Sequence, residues 1–167
     1  MLKDEVALSK EKMKKIDLKI IAKSVVDDFN NIYEAKRGIQ IILKDSNSQE
    51  EYFINGIENR IEQIIANLLD NSISFSDNNK KILVEISKNE SEKIVLKVID
   101  EGKGFKETST KKIFDRFYSN RPDNFGEHSG LGLNIVKNLV DLHGATIYAS
   151  NNTPQKGANV KITFPKL

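Results

Sequence analysis

Three stretches of the 167-residue chain place side chains in patterns that could do chemistry. In Gly130-Leu131-Gly132-Leu133 a polar, glycine-punctuated loop passes into a helical pattern. Ile135, Leu139, Val140 and His143 fall at helical spacing, and Gly144 stands where a left-handed C-terminal cap would sit. Two glycines at the mouth of a helix either shape a turn or let backbone N–H groups approach a phosphate, the helix end adding partial positive charge. Asn67 and Asn71 lie four apart within an apolar helical stripe, so they project from one side. Asparagine is a poor mid-helix residue because its amide competes with the backbone. The pair is either two ordinary exposed amides or a pair of neutral oxygen donors, suited to Mg²⁺ that already carries phosphate ligands. In Asp100-Glu101-Gly102-Lys103-Gly104-Phe105 an acid ends an apolar strand and two glycines follow. This is either a tight turn with a solvated acid or a buried carboxylate that needs a donor. The exocyclic amino group of adenine is such a donor, and the glycines would let the base lie against the backbone.

Several elements must hold these residues in place. Asp17 caps an expected helix in which Ile21, Val25, Phe29, Ile32 and Tyr33 line one face, ending near Gly38. Residues 39–43 form a short β-branched run and residues 51–54 a second short strand, with a turn between them. Ile57, Ile61, Ile64, Ile65, Leu68, Leu69 and Phe75 make the strongest helical stripe. Residues 82–86 and 94–99 read as antiparallel strands, the second running straight into Asp100. Residues 112–118 place three aromatics in five positions, of which Phe114 is expected in the core. The polar stretch 119–129, with Arg121, Pro122 and Gly126, separates these aromatics from the glycine turn as a lid would. Two more strands close the chain: residues 145–149, then the alternating Val160, Ile162 and Phe164. Residues 1–15 are polar and lysine-rich, either a solvated tail or the stub of a preceding helix, with the folded domain over 16–167.

Composition narrows the function classes. The net charge of +2 comes from 26 basic and 24 acidic residues without a long single-sign block, which gives no electrostatic case for nucleic acid or a membrane surface. Without cysteine there is no disulfide, thiolate metal site or cysteine nucleophile, and two histidines, His128 and His143, make a histidine metal cluster improbable. No apolar run is long enough to cross a bilayer, so the expected compartment is the cytoplasm.

Taken in order, these stretches resemble the ATP-binding catalytic domain of bacterial sensor histidine kinases, in the superfamily shared with gyrase, the heat-shock chaperone and mismatch-repair ATPases. Asn67-Leu68-Leu69-Asp70-Asn71-Ser72 looks like the N box and Asp100-Glu101-Gly102-Lys103-Gly104-Phe105 like the first glycine box. Ile113-Phe114-Asp115-Arg116-Phe117-Tyr118 looks like the F box and Gly130-Leu131-Gly132-Leu133 like the second glycine box. The resemblance implies an α+β fold of the Bergerat ATP-binding type. That is a two-layer α/β sandwich whose mixed, mostly antiparallel sheet carries helices on one face. ATP would lie between helices under a lid. Asn71 and Asn67 would hold Mg²⁺ and the phosphates, and Asp100 would accept from the adenine amino group. Gly102 and Gly104 would make room for the base beside Phe75 and Phe105, and Phe114 and Phe117 would anchor the lid. The amides of Gly130, Leu131 and Gly132 would cradle the phosphates, next to Leu133.

This chain departs from the family pattern at four places. Ser74 and Phe75 replace a lysine and a tyrosine after the N box, and His128 replaces a glycine before Gly130. Ser119 replaces the arginine that often follows the F box, which leaves Arg116 or Arg121 to supply charge.

Related ATPases carry a glutamate where this chain has Asn67, and an amide cannot take a proton from water. That favours phosphoryl transfer over hydrolysis. The family's acceptor is a histidine, followed by an acid, on a separate dimeric helical hairpin. His128 and His143 do not fit this role, and His143 is expected to complement a helix C-terminus as a cation. The chain is therefore expected to be the catalytic part of a two-component kinase. It would act on a hairpin of the same protein, a homodimer when complete, with a response regulator downstream, and would form the cytoplasmic part of an inner-membrane sensor. A nucleotide-sensing or partner-binding module without turnover is the alternative.

Overall fold

The chain, in a computed structural model that describes residues 11–105, 113–114, 131–152 and 155–167, enters through the short strand β1 (Lys14–Asp17). Asp17 then caps helix α1 (Leu18–Arg37), its Oδ1 accepting from the N–H groups of Lys19 at 2.9 Å and Ile20 at 3.3 Å. Gly38 ends the helix in the left-handed region, at φ 63°. Strands β2 (Gln40–Asp45) and β3 (Phe53–Gly56) lead to helix α2 (Glu58–Ser74). Strands β4 (Lys81–Lys88) and β5 (Ile94–Asp100) follow, then helix α3 (Leu131–Leu142) and strands β6 (Thr146–Asn151) and β7 (Ala158–Thr163).

Five strands form one sheet in the order β2-β4-β5-β7-β6. Only the β2–β4 pair is parallel. Parallel neighbours need a long crossover, and here β3 and α2 supply it. The side-chain period of two sends alternate residues to the helix layer. One such row is Ile147, Ile162, Leu96 and Ile86, and the next is Ala149, Val160, Val98 and Val84. All but the half-buried Ile147 are buried. The same alternation puts Asp100, opposite Ile82, on the helix-facing side at the end of β5. The expected sandwich is thus present, with α2 packed on α1, on the helix Leu131–Leu142 and on β5.

Four features of the fold depart from the sequence expectation. Lys14–Asp17 pairs antiparallel with β3 as a separate two-stranded sheet, although its one buried apolar residue, Ile16, leaves no alternating pattern to read. Ile32 is 50% exposed. Near it, Asn30 turns α1 toward the open edge of β2, its Nδ2 donating to Ile41 O at 2.9 Å while its Oδ1 accepts from Ile41 N–H at 2.8 Å. On α3 the core side runs through Leu133, Val136, Leu139 and Val140, while Ile135 is 37% exposed. Phe75 follows the last residue of α2 as its C-cap and is only half-buried. Among the described residues no helix is long and apolar enough to cross a membrane.

Arg37 ties the end of α1 to the end of α2. Its guanidinium donates to Ile73 O at 2.7 Å, Ser76 O at 2.5 Å and Asn78 Oδ1 at 2.7 Å. The first two are backbone carbonyls at and just beyond the end of α2, and Ile73 O also accepts from the N–H of Ser76 at 3.3 Å. Arg37→Met should therefore lower stability by about 2 kcal/mol in urea unfolding, the usual worth of charge-assisted bonds. A change below about 0.5 kcal/mol, ordinary for surface positions, would show that water replaces the guanidinium without loss.

Candidate functional site

Asp100 is the least ordinary residue of the sheet: an acid, 1% exposed, at the end of a strand whose other buried side chains are aliphatic. A buried carboxylate must find donors. Oδ1 accepts from the N–H of Gly102 at 2.9 Å and of Ala158 at 3.1 Å. Part of the donor requirement anticipated from sequence is thus met by the chain's own backbone. The loop that follows is equally determined. Gly104 has φ 80°, and a Cβ there would fall 2.6 Å from Asn151 Oδ1, so the fold itself demands glycine at this position. Phe105 is buried in the core.

Asn67 and Asn71 lie on one flank of α2, half-buried beside Leu68 and Leu69, which are fully buried. Their side-chain amides make no hydrogen bond among the described residues. Asn71's backbone carbonyl accepts from the N–H of Phe75. Ser74, where the family pattern has lysine, turns its hydroxyl back to donate to Asp70 O at 2.8 Å. Among the described residues no group of three or more His, Cys, Asp or Glu side chains could hold a metal ion. A cation here would therefore depend on neutral amide oxygens together with oxygens supplied by a ligand.

The third wall is the start of α3. Leu131 is its first residue, and Leu133 is buried. A Cβ added to Gly132 would meet nothing within 4 Å, so nothing in the described packing requires glycine there. Phe114 is buried in the core, and Asn134 Nδ2 donates to its carbonyl at 3.2 Å, which ties the aromatic segment to α3. Gly130, Arg116, Phe117 and Arg121, together with Ser119 and His128, lie outside the described residues.

His143 settles how α3 lies against α2. It is 6% exposed. Its Nε2 takes the N–H of Ile57, the N-cap of α2, at 3.1 Å, while Nδ1 contacts Leu139 O at 2.8 Å. A backbone N–H can only donate, so Nε2 must carry a lone pair and Nδ1 the proton. The ring is a neutral bridge between two helices rather than the expected cation at a helix end. A Cβ on Gly56 would come 3.2 Å from Cδ2 of this ring. With α3 pinned to the first turn of α2 and packed against it, its 12 residues, about 18 Å long, run back toward the half of α2 that carries Asn67 and Asn71. The start of α3 and the asparagine pair are thereby brought to the same end of the helix layer.

Sequence reasoning missed Asn134, Ala158, and the pair Asn151 and Asn152, whose side chains bond the backbone of the Asp100 loop. It also missed the bridging role of His143. The Asn-Asn dipeptide ahead of Gly157 is readable as a turn, but its long-range bonds leave no local signal.

A two-layer domain with these three walls belongs to a known class. The family model described as histidine kinase-, DNA gyrase B-, and HSP90-like ATPase matches residues 56–167. The chain belongs to this family. The sensor protein ChvG of Agrobacterium fabrum is 32% identical over 148 residues, 85% of this chain and 25% of that protein. ChvG of Rhizobium meliloti is 33% identical over 156 residues, 90% of this chain and 27% of that protein. The chain thus spans about a quarter of the length of these curated relatives. Among solved structures, the catalytic domain of histidine kinase ThkA aligns with a TM-score of 0.78 at 24% identity, over 93% of this chain and 96% of that one. The mycobacterial sensor histidine kinase MprB aligns with a TM-score of 0.76 at 21% identity, over 92% and 97%. At these identities the structures establish the fold.

If His143 bridges as described, His143→Leu strands the Ile57 N–H and should lower stability by roughly 1–3 kcal/mol in urea unfolding. His143→Gln, whose amide oxygen can accept that N–H, should recover part of the loss. Equal stability of the leucine variant and the parent would remove the bridge.

Proposed function

We propose that this domain binds ATP–Mg²⁺ and, as the catalytic part of a sensor histidine kinase, transfers the γ-phosphoryl group to a histidine on a helical hairpin outside this chain. The observation that carries the reading is the buried Asp100, held by backbone N–H groups on the helix-facing side of the sheet in a chain of this family. Carboxylate oxygens accept hydrogen bonds, so this side chain is complementary to the amino group of adenine. Guanine would present a carbonyl oxygen to the same acceptor.

The remaining roles follow from the other two walls. Asn71 and Asn67 offer side-chain oxygens to Mg²⁺, which would neutralise charge on the transferring phosphate. The first turn of α3 offers N–H groups to the phosphates, and glycine at position 132, unneeded for packing, lets them come close. Asn67 positions rather than deprotonates, since an amide is no general base at neutral pH. Transfer to an imidazole nitrogen then releases ADP. The hairpin would belong to the same, dimeric protein, with a response regulator downstream, and the domain would face the cytoplasm.

Calorimetric titration with ATP and ADP, with and without Mg²⁺, tests the assignments. Asp100→Asn should weaken every adenine nucleotide about tenfold or more regardless of metal, while Asn71→Ala should chiefly abolish the Mg²⁺ dependence. Equal, metal-independent losses in both variants would refute these roles. Labelled ATP and a separately produced histidine hairpin then decide turnover. Acid-labile label on the hairpin supports the kinase, whereas binding without transfer favours a nucleotide-sensing module, a reading that Ser74's bond to its own helix also suits.

A further inference from the structure

The loop 100–105 is gripped at both ends by consecutive side chains from the end of the neighbouring hairpin. Asn152 Nδ2 donates to Asp100 O at 3.0 Å. Asn151 Oδ1 accepts from Phe105 N–H at 2.6 Å, and its Nδ2 donates to Phe105 O at 2.9 Å. An amide bonded both ways to one residue does what the peptide group of an adjacent strand would do. The chain uses the same device at Asn30, which pairs with both backbone groups of Ile41 on the open edge of β2.

The remaining contacts of this hairpin fall on Asp100. Ala158 N–H holds the Asp100 carboxylate at 3.1 Å, and a Cβ on Gly157 would lie 1.9 Å from Asp100 O, so the hairpin backbone also passes directly against it. The ladder between β6 and β7 already runs in full from Thr146↔Thr163 to Asn151↔Ala158 without the asparagine side chains. Those side chains are therefore not what holds the hairpin together. They hold the acidic loop, whose two glycines make it costly to order.

We propose that Asn151 is a positioning residue for purine selectivity. By acting as a surrogate strand for Phe105, it fixes the loop in the conformation that aims the Asp100 carboxylate at a purine amino group. The proposal rests on the assignment of Asp100 to the base. An acceptor discriminates adenine from guanine only while it is held in place, since a carboxylate free to swing away escapes the clash with the guanine carbonyl.

The test is calorimetric binding of ATP and of GTP to Asn151→Leu, Asn151→Asp, Asp100→Asn and the double variant Asn151→Leu/Asp100→Asn, with thermal unfolding recorded for each. Asn151→Leu should lower the ATP-to-GTP affinity ratio about tenfold, as expected for losing roughly 1.4 kcal/mol of discrimination. Asn151→Asp keeps the acceptor for Phe105 N–H but sets a carboxylate oxygen against Phe105 O, so it should fall between parent and leucine variant. In the double variant the ratio should match Asp100→Asn alone, because both changes act through the same contact. One result would overturn the role of Asn151 while leaving Asp100 in place: an unchanged ratio in Asn151→Leu, whether neither nucleotide weakens or both weaken equally, beside a reduced ratio in Asp100→Asn. An unchanged ratio in Asp100→Asn would instead remove the base assignment, and the proposal with it. Should the leucine variant not fold, the aspartate variant carries the same comparison, and a parent-like ratio in it sinks the idea.

Discussion

A carboxylate buried among aliphatic side chains has to be met by donors, and the region around Asp100 is built to meet that requirement. β5 delivers the acid to the helix-facing side of the sheet because its alternation also buries Leu96 and Val98. The turn after it supplies one N–H from Gly102, and the start of β7 supplies another from Ala158. Two segments far apart in the chain, the end of β5 with its turn and the start of β7, are thereby held to one side chain. Taking a carboxylate out of water is costly, and these backbone donors offset that cost.

The helix layer follows a different logic. α2 is anchored at both ends by side chains from its neighbours, Arg37 of α1 at its C-terminus and His143 of α3 at its N-cap. Both anchors bond backbone groups at or just beyond a helix end. The asparagine pair sits between these anchors, so its distance from the start of α3 is set by helix length and packing rather than by any loop.

Within the family, the glycines of this chain divide into two kinds. Gly104 and Gly157 have contacts or dihedrals that exclude a side chain, so their identity reports on folding. Gly132 has open space where a Cβ would go, so its identity reports on whatever approaches the helix end. The distinction matters because Gly104 and Gly132 both fall in stretches that resemble family motifs, yet only at Gly104 does the described packing itself require glycine.

The sequence alone determined what depends on local periodicity and local capping. Asp17 and Gly38 bound α1 as anticipated, the Ile61–Leu69 stripe is the buried side of α2, and Asp100 ends β5. The order of the motifs was enough to name the family that residues 56–167 match. Tertiary structure decided everything that depends on a partner distant in the chain. It paired Lys14–Asp17 with β3, a strand that a single buried isoleucine could not announce. It rotated α3 so that Val136 rather than Ile135 faces inward, because a 3.6-residue repeat allows either until another surface is present. It made His143 a neutral bridge instead of a helix-end cation, and it gave Asn30, Asn134 and Asn151 backbone partners that their own neighbourhoods do not suggest. Hydrophobic pattern is written along the chain, whereas the partner of a hydrogen bond is chosen only when the chain has folded.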